Sequence, residues 1–180
     1  MQEDRYSARL ERLSAILQEH HLDALALNPG PDLAHLTGLN FHLMERPVMG
    51  IFPVNSPPVI ILPVLEQVKL QKIPYPHKAF SYPEERAAWM GVFRDAAREA
   101  ALEGKRIGVI SRRFRVLELR LLQDAANRAE IVPAEGVVSA LRIRKAAGER
   151  TGVQDALPCA EPPLRKTLKS FQVGMTEQEL

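Results

Sequence analysis

From residue 1 to about 135, short apolar runs alternate with stretches whose apolar residues recur at helical spacing. That alternation confines the chain to a layered α/β fold. Tyr6, Leu10, Leu13 and Leu17 mark an amphipathic helix ending near His20-His21. Ala24-Leu25-Ala26-Leu27 is short and continuously apolar, as a strand buried on both faces is. Asn28-Pro29-Gly30-Pro31 then turns the chain. Asp32 to Gly38 predicts a short helix with Gly38 as its C-cap. Val48 to Val54 and Val59 to Val64, joined by Asn55-Ser56-Pro57-Pro58, predict an antiparallel hairpin. Pro53 and Pro63 lack donors, so the hairpin requires an edge or a bulge at each. A short helix is expected over Leu65 to Gln71 and a strand around Ala79 to Tyr82. Trp89, Val92, Phe93, Ala96 and Ala100 line one face of a helix that Gly104 stops. Ile107 to Ile110, Phe114 to Asn127 and Ile131-Val132 predict a parallel, right-handed βαβ unit. The order α-β-α-β-β-α-β-α-β-α-β implies an α/β fold with a mixed sheet flanked by helices.

Residues 136–180 differ in kind. Val137 to Ile143 predicts a helical turn leading into Arg144-Lys145. Gly148, Gly152, Pro158, Pro162 and Pro163 follow. An interior proline costs a helix roughly 3 kcal/mol, so one continuous helix is not expected here. A helix resuming from Leu164 is expected to end near Gly174. Thr176 and Glu179 have capping-box spacing at the very end, which announces a further helix. We therefore expect two parts, residues 1–135 as a folded domain and 136–180 as a linker and the truncated start of another.

Charge and composition exclude several function classes. Apolar residues make up 46% and charged residues 26%, which is the balance of a globular protein. The net charge is +2, and all of the excess falls in residues 136–180, so no nucleic-acid footprint is expected. Val59 to Leu65 is the longest purely apolar stretch, far short of the roughly 20 residues a membrane helix needs. The acidic start, Gln2-Glu3-Asp4, is not that of a signal peptide. One cysteine, Cys159, cannot form an internal disulfide and has no activating neighbour, which fits a cytoplasmic setting.

The chain has no His-Glu-x-x-His, Cys-x-x-Cys, Gly-x-Ser-x-Gly or phosphate-binding glycine loop. Asp32 with His35, and His42 with Glu45, would each share a helix face, but two ligands do not make a metal site. Arg112, Arg113 and Arg115 sit at a strand-to-helix loop, where α/β folds often bind anions. The bland alternative for that cluster is solvation. Trp89, at helical spacing, reads as core. The segment Asn40-Phe41-His42-Leu43-Met44-Glu45-Arg46 combines an aromatic, a histidine, an acid and an arginine between a capped helix and a strand. Loops on rigid scaffolds carry function, and an arginine there can clamp a carboxylate bidentately. The bland alternative is that Arg46 pairs with Glu45 or another surface acid.

Asp32-Leu33-Ala34-His35-Leu36-Thr37-Gly38-Leu39, followed by Glu45-Arg46-Pro47, resembles the N-terminal domain of the creatinase/prolidase/aminopeptidase P family. Ser139-Ala140-Leu141-Arg142-Ile143-Arg144-Lys145 resembles that family's linker into its catalytic domain. Phe171 to Leu180 is similar to the end of the first catalytic-domain helix and the start of the next. His35 stands where the family usually has tyrosine, and the glycines and prolines of 148–163 stand where it has a long helix.

The resemblance implies an accessory domain of an Xaa-Pro metallopeptidase, which supports a homodimer and brings a loop near the partner subunit's active site. By position His42 and Arg46 are the candidate substrate-proximal residues. It implies two divalent metals, manganese or cobalt, held by two Asp, one His and two Glu of the catalytic domain; no residue here matches those ligands. No cofactor is therefore expected in this chain, and no catalytic residue, which leaves open whether it acts as part of an enzyme. The alternatives are a stand-alone binding or assembly module, and a small enzyme using the Arg112–Arg115 loop for an anionic substrate.

Overall fold

A computed structural model of the chain describes residues 2–145 and 147–179. Met1, Ala146 and Leu180, the last of these closing the Phe171 to Leu180 segment, lie outside the described residues. The chain divides into two units, Met1–Leu141 and Arg142–Leu180.

From Gln2 to Ile143 the elements are α1 (Gln2–Glu19), β1 (Ala24–Leu27), α2 (Pro31–Thr37), β2 (Met49–Pro53), β3 (Val59–Pro63), a 3₁₀ helix (Val64–Lys72), β4 (Lys78–Tyr82), α3 (Arg86–Glu99), β5 (Arg106–Val109), α4 (Val116–Ala125), β6 (Glu130–Pro133) and α5 (Glu135–Ile143). The strands form one sheet in the order β4-β3-β2-β1-β5-β6. β1–β2 and β2–β3 are antiparallel, and β3–β4, β1–β5 and β5–β6 are parallel. The sheet is mixed and carries helices on both faces.

Side-chain alternation along the strands divides the core. Ala24 and Ala26 face α3 and α4, packing with Trp89, Phe93, Ala96 and Leu122. Leu25 and Leu27 face the other way, toward Leu13 and Leu17 of α1, Leu33 and Leu36 of α2, and Val137 and Leu141 of α5. The Ala-Leu-Ala-Leu run thus gives small side chains to one face and large ones to the other. Val59 and Ile61 against Ile60 and Leu62 repeat the division in β3.

Several local expectations are corrected. Pro53 and Pro63 lie in interior strands, with neither an edge nor a bulge at either. The β2–β3 register runs from Met49↔Ile61 to Ile51↔Val59, so both prolines fall beyond the last pair on that seam and no ladder donor is missed. The short helix expected over Leu65 to Gln71 is present, in 3₁₀ form, from Val64 to Lys72. α3 ends at Glu99, five residues before Gly104; Ala101 takes the left-handed conformation (φ 50°) that turns the chain. α4 is shorter than Phe114 to Asn127, because Phe114 donates its N–H to Ile110 O (2.8 Å) in a turn that precedes it.

In the second unit, α6 (Ala147–Ser170) is one helix, against the expected break, and it contains Pro158, Pro162 and Pro163. Ala156-Leu157 and Leu164-Arg165-Lys166 are good helix formers on either side. Glu161 and Arg165 also pair at i, i+4 (Nε–Oε1 2.9 Å) across the prolines. Beyond it, the Glu179 carboxylate accepts the Thr176 N–H (2.9 Å), the carboxylate half of a capping box, and that bond holds the carboxyl below its ordinary range.

At the β1–β5 seam, Asp23 accepts Arg106 N–H (2.8 Å) and Lys105 Nζ (3.1 Å). The Arg106 N–H, with Lys105, keeps its carboxyl below the usual carboxylate range against a smaller cost of burial. A depressed carboxyl stabilises the fold above its unfolded pKa of about 4, and that contribution is lost as pH falls through the folded pKa. Asp23→Asn is expected to flatten the acid limb of a plot of urea midpoint against pH between about pH 5 and pH 3. An acid limb as steep as that of the parent would overturn this account.

Candidate functional site

The end of α2 sets the direction of everything that follows. Four carbonyls there each find a donor: Leu33 O from Thr37 Oγ1 (2.8 Å), Ala34 O from Gly38 N (2.8 Å), His35 O from Arg9 Nη1 (2.6 Å) and Leu36 O from Tyr75 Oη (2.8 Å). The last three are groups that a helix terminus otherwise leaves unpaired. Gly38 adopts φ 75°, and a Cβ there would lie 2.6 Å from Tyr6 Oη. Glycine is required on both counts. Thr37 Oγ1 also accepts Leu39 N–H (3.0 Å), so the Leu-Thr-Gly stretch is a closed cap that aims the chain into the next loop.

That loop is fastened at both ends. Leu39 and Phe41 are buried on one side, and Pro47 and Val48 on the other. His42, Leu43, Met44 and Glu45 between them are exposed. Three side chains from three other elements hold its backbone. Lys69 of the 3₁₀ helix reaches Asn40 O (3.4 Å) and lies 4.9 Å from the Phe41 ring centroid. Arg115 Nη1 donates to Met44 O (2.6 Å), and Tyr82 Oη donates to Pro47 O (2.6 Å).

Tyr82 is fully buried and its ring lies 5.1 Å from that of Trp89. Burial raises its hydroxyl pKa well above the ordinary tyrosine value, so it stays a donor. Smaller influences reach it from Arg46, Glu118, Arg115 and Glu45. The Arg46 loop and the arginine cluster, far apart in sequence, are therefore one neighbourhood.

Of the two sequence-predicted residues, His42 lies at the exposed tip. Arg46 lies at the base of the loop and pairs with Glu84 (Nη2–Oε1 3.0 Å), not with adjacent Glu45. A cleft of about 370 Å³ opens beside it, lined in part by Val64, Leu65, Tyr82 and Pro83. His42 and Glu45 share no helix face, because the loop is not helical. Asp32 and His35 do lie on α2. Among the described residues, no three His, Cys, Asp or Glu side chains are grouped so as to hold a metal ion.

The chain's own carboxylates take the anion positions of the Arg112–Arg115 loop. Glu135 accepts Ser111 N–H (2.8 Å), and its own helix-end N–H, with those of Ser111 and Arg112, lowers its pKa. Glu118 accepts Arg115 Nε on both oxygens (3.0 and 2.9 Å) and Nη2 as well. Arg113 packs its guanidinium over Gly30, and its carbonyl accepts Asn28 Nδ2 (2.6 Å). Sequence reasoning missed Glu118, Tyr82 and Glu84. The legible signal was Glu118 itself, an acid placed three and four residues before Leu121 and Leu122 on the apolar face of α4.

Residues 9–144 match the creatinase/prolidase N-terminal domain family. This chain belongs to that family. The creatinase/prolidase N-terminal fold is shared with a dipeptidase PepE from Mycobacterium ulcerans, at 24% identity and a TM-score of 0.72. That match covers 84% of this chain and 40% of the other. A prolidase from Thermococcus sibiricus matches at 19% identity and a TM-score of 0.80, over 97% of this chain and 47% of the other. The chain thus spans less than half the length of these two proteins. A creatinase N-terminal superfamily domain of a dipeptidase from Streptococcus thermophilus matches at 18% identity and a TM-score of 0.64, over 74% of this chain and 98% of that domain. No curated protein sequence matches this one. No described helix of the domain is long and apolar enough to cross a membrane.

Proposed function

We propose that this chain serves as the non-catalytic N-terminal part of an Xaa-Pro dipeptidase- or aminopeptidase-like metallopeptidase. In that role it supports a homodimer, and its 40–46 loop restricts which peptides reach the active site of the partner subunit. The observation that carries the reading is the loop itself. Its backbone, at Asn40, Met44 and Pro47, is held by side chains from three separate elements around four exposed residues, beside a cleft with a cation at its rim.

Arg46 supplies a planar donor set suited to a peptide carboxylate, and its present partner is the exposed Glu84, which an incoming carboxylate can replace. His42 stands at the tip, where it meets whatever approaches first. Leu43 and Met44 of the loop, Val64, Leu65 and Val68 of the 3₁₀ helix, and Val116 beside Arg115 are large apolar side chains left exposed. Such a surface fits contact with a second subunit. The two divalent metals, manganese or cobalt, belong in this reading to a catalytic domain, since the described residues offer no group that fits them. A cytoplasmic location agrees with the single, exposed Cys159.

Two measurements on the pure 180-residue chain test the reading. With added manganese or cobalt and an X-Pro dipeptide, no metal-stimulated release of the N-terminal residue is expected; clear hydrolysis overturns the non-catalytic assignment. Sedimentation is expected to show a dimer, and a strict monomer counts against the assembly role.

A second reading, a stand-alone binding or assembly module, draws support from one observation: both faces of the sheet are covered within Met1–Leu141. An antibody against residues 1–135, used on the source cell, separates the two. A band far heavier than 20.2 kDa favours the peptidase part, and a band near 20.2 kDa favours the module.

A further inference from the structure

Glu118 is the one carboxylate buried among the described residues. Its side chain is 0% exposed, and its partner Arg115 is 29% exposed. A buried ion pair is seldom retained for stability, since apolar residues of similar volume usually do as well or better. This pair has a second contact to account for it. With Nε and Nη2 committed to Glu118, the remaining fork of Arg115 points Nη1 at the Met44 carbonyl, 2.6 Å away. Residues 41–46 have neither helix nor strand to fix them.

We propose that Arg115 and Glu118 are positioning residues for the 40–46 loop: Glu118 orients the guanidinium, and the guanidinium pins Met44 O and so the presentation of His42 and Arg46. Arginine suits the task because its planar fork bonds two partners in fixed geometry, which a lysine ammonium cannot reproduce. The consequence for substrate choice rests on the reading of this loop as facing the substrate. The pinning itself does not.

Limited proteolysis of the full chain with chymotrypsin tests the proposal, with two variants. Arg115→Met/Glu118→Leu removes the pair and refills its volume, so the melting temperature and cleavage outside the loop are expected to stay near those of the parent. Cleavage within residues 41–46 is expected about tenfold faster, the effect of one lost charge-assisted hydrogen bond on the population of the opened loop. Arg115→Lys keeps a cation opposite Glu118 but not the fork, and the same loop-specific release is expected. A pair that merely fills the core predicts parent-like cleavage everywhere in the double variant. Parent-like loop cleavage in either folded variant overturns the proposal, and if the double variant does not fold, Arg115→Lys decides. Loop release with unchanged dimerisation and unchanged peptide-induced melting shift supports the pinning and overturns the substrate-facing reading alone.

Discussion

Replacing Arg115 alone with methionine is expected to destabilise the domain by about 3–5 kcal/mol. The reason is what it leaves behind. Glu118 is fully buried, and among the described residues its three hydrogen bonds all come from Arg115. A carboxylate without solvent or cation in that position carries its whole desolvation cost. Removing both partners together avoids that cost, so Arg115→Met/Glu118→Leu is expected to fall within about 1 kcal/mol of the parent. Urea unfolding at neutral pH measures both. A single-variant loss as small as that of the double variant would show that Glu118 finds solvent or another partner.

Tyr82→Ala is the second large effect, at about 3–5 kcal/mol, the range for deleting a large buried aromatic. The ring packs on Trp89 between β4 and α3, and its hydroxyl serves the Pro47 carbonyl. Tyr82→Phe separates the two contributions. It keeps the ring and gives up one hydrogen bond, so about 1 kcal/mol is expected. The two variants compared by urea unfolding decide between them. Equal losses would mean that the ring adds nothing and the hydroxyl carries the whole effect.

Much of the fold was legible because its signals are local. Ala24 to Leu27, the Trp89–Phe93–Ala96 stripe and Gly38 each declare an element through spacing or backbone conformation alone. The hairpin prolines were read too strictly. Whether Pro53 misses a donor depends on where the β2–β3 register ends, and that depends on the partner strand. The continuous α6 was missed because three interior prolines weigh against a helix, and nothing local in the sequence offsets them. At the site, the loop from Asn40 to Arg46 was visible as an unusual composition. Its restraints were not, because Lys69, Tyr82 and Arg115 come to it from 29, 35 and 71 residues away. Arg46 and Arg115 read as two separate cationic features, and only the folded domain places both beside Tyr82.

The way this loop is gripped has an evolutionary consequence. Lys69, Arg115 and Tyr82 take hold of Asn40, Met44 and Pro47 through their carbonyl oxygens, which every amino acid possesses. Nothing in that grip reads the side chains of residues 42–45. Those four positions can therefore drift in charge, size and polarity while the frame beneath them stays the same. A lineage could retune what the tip meets by single substitutions there, without first having to rediscover a stable fold.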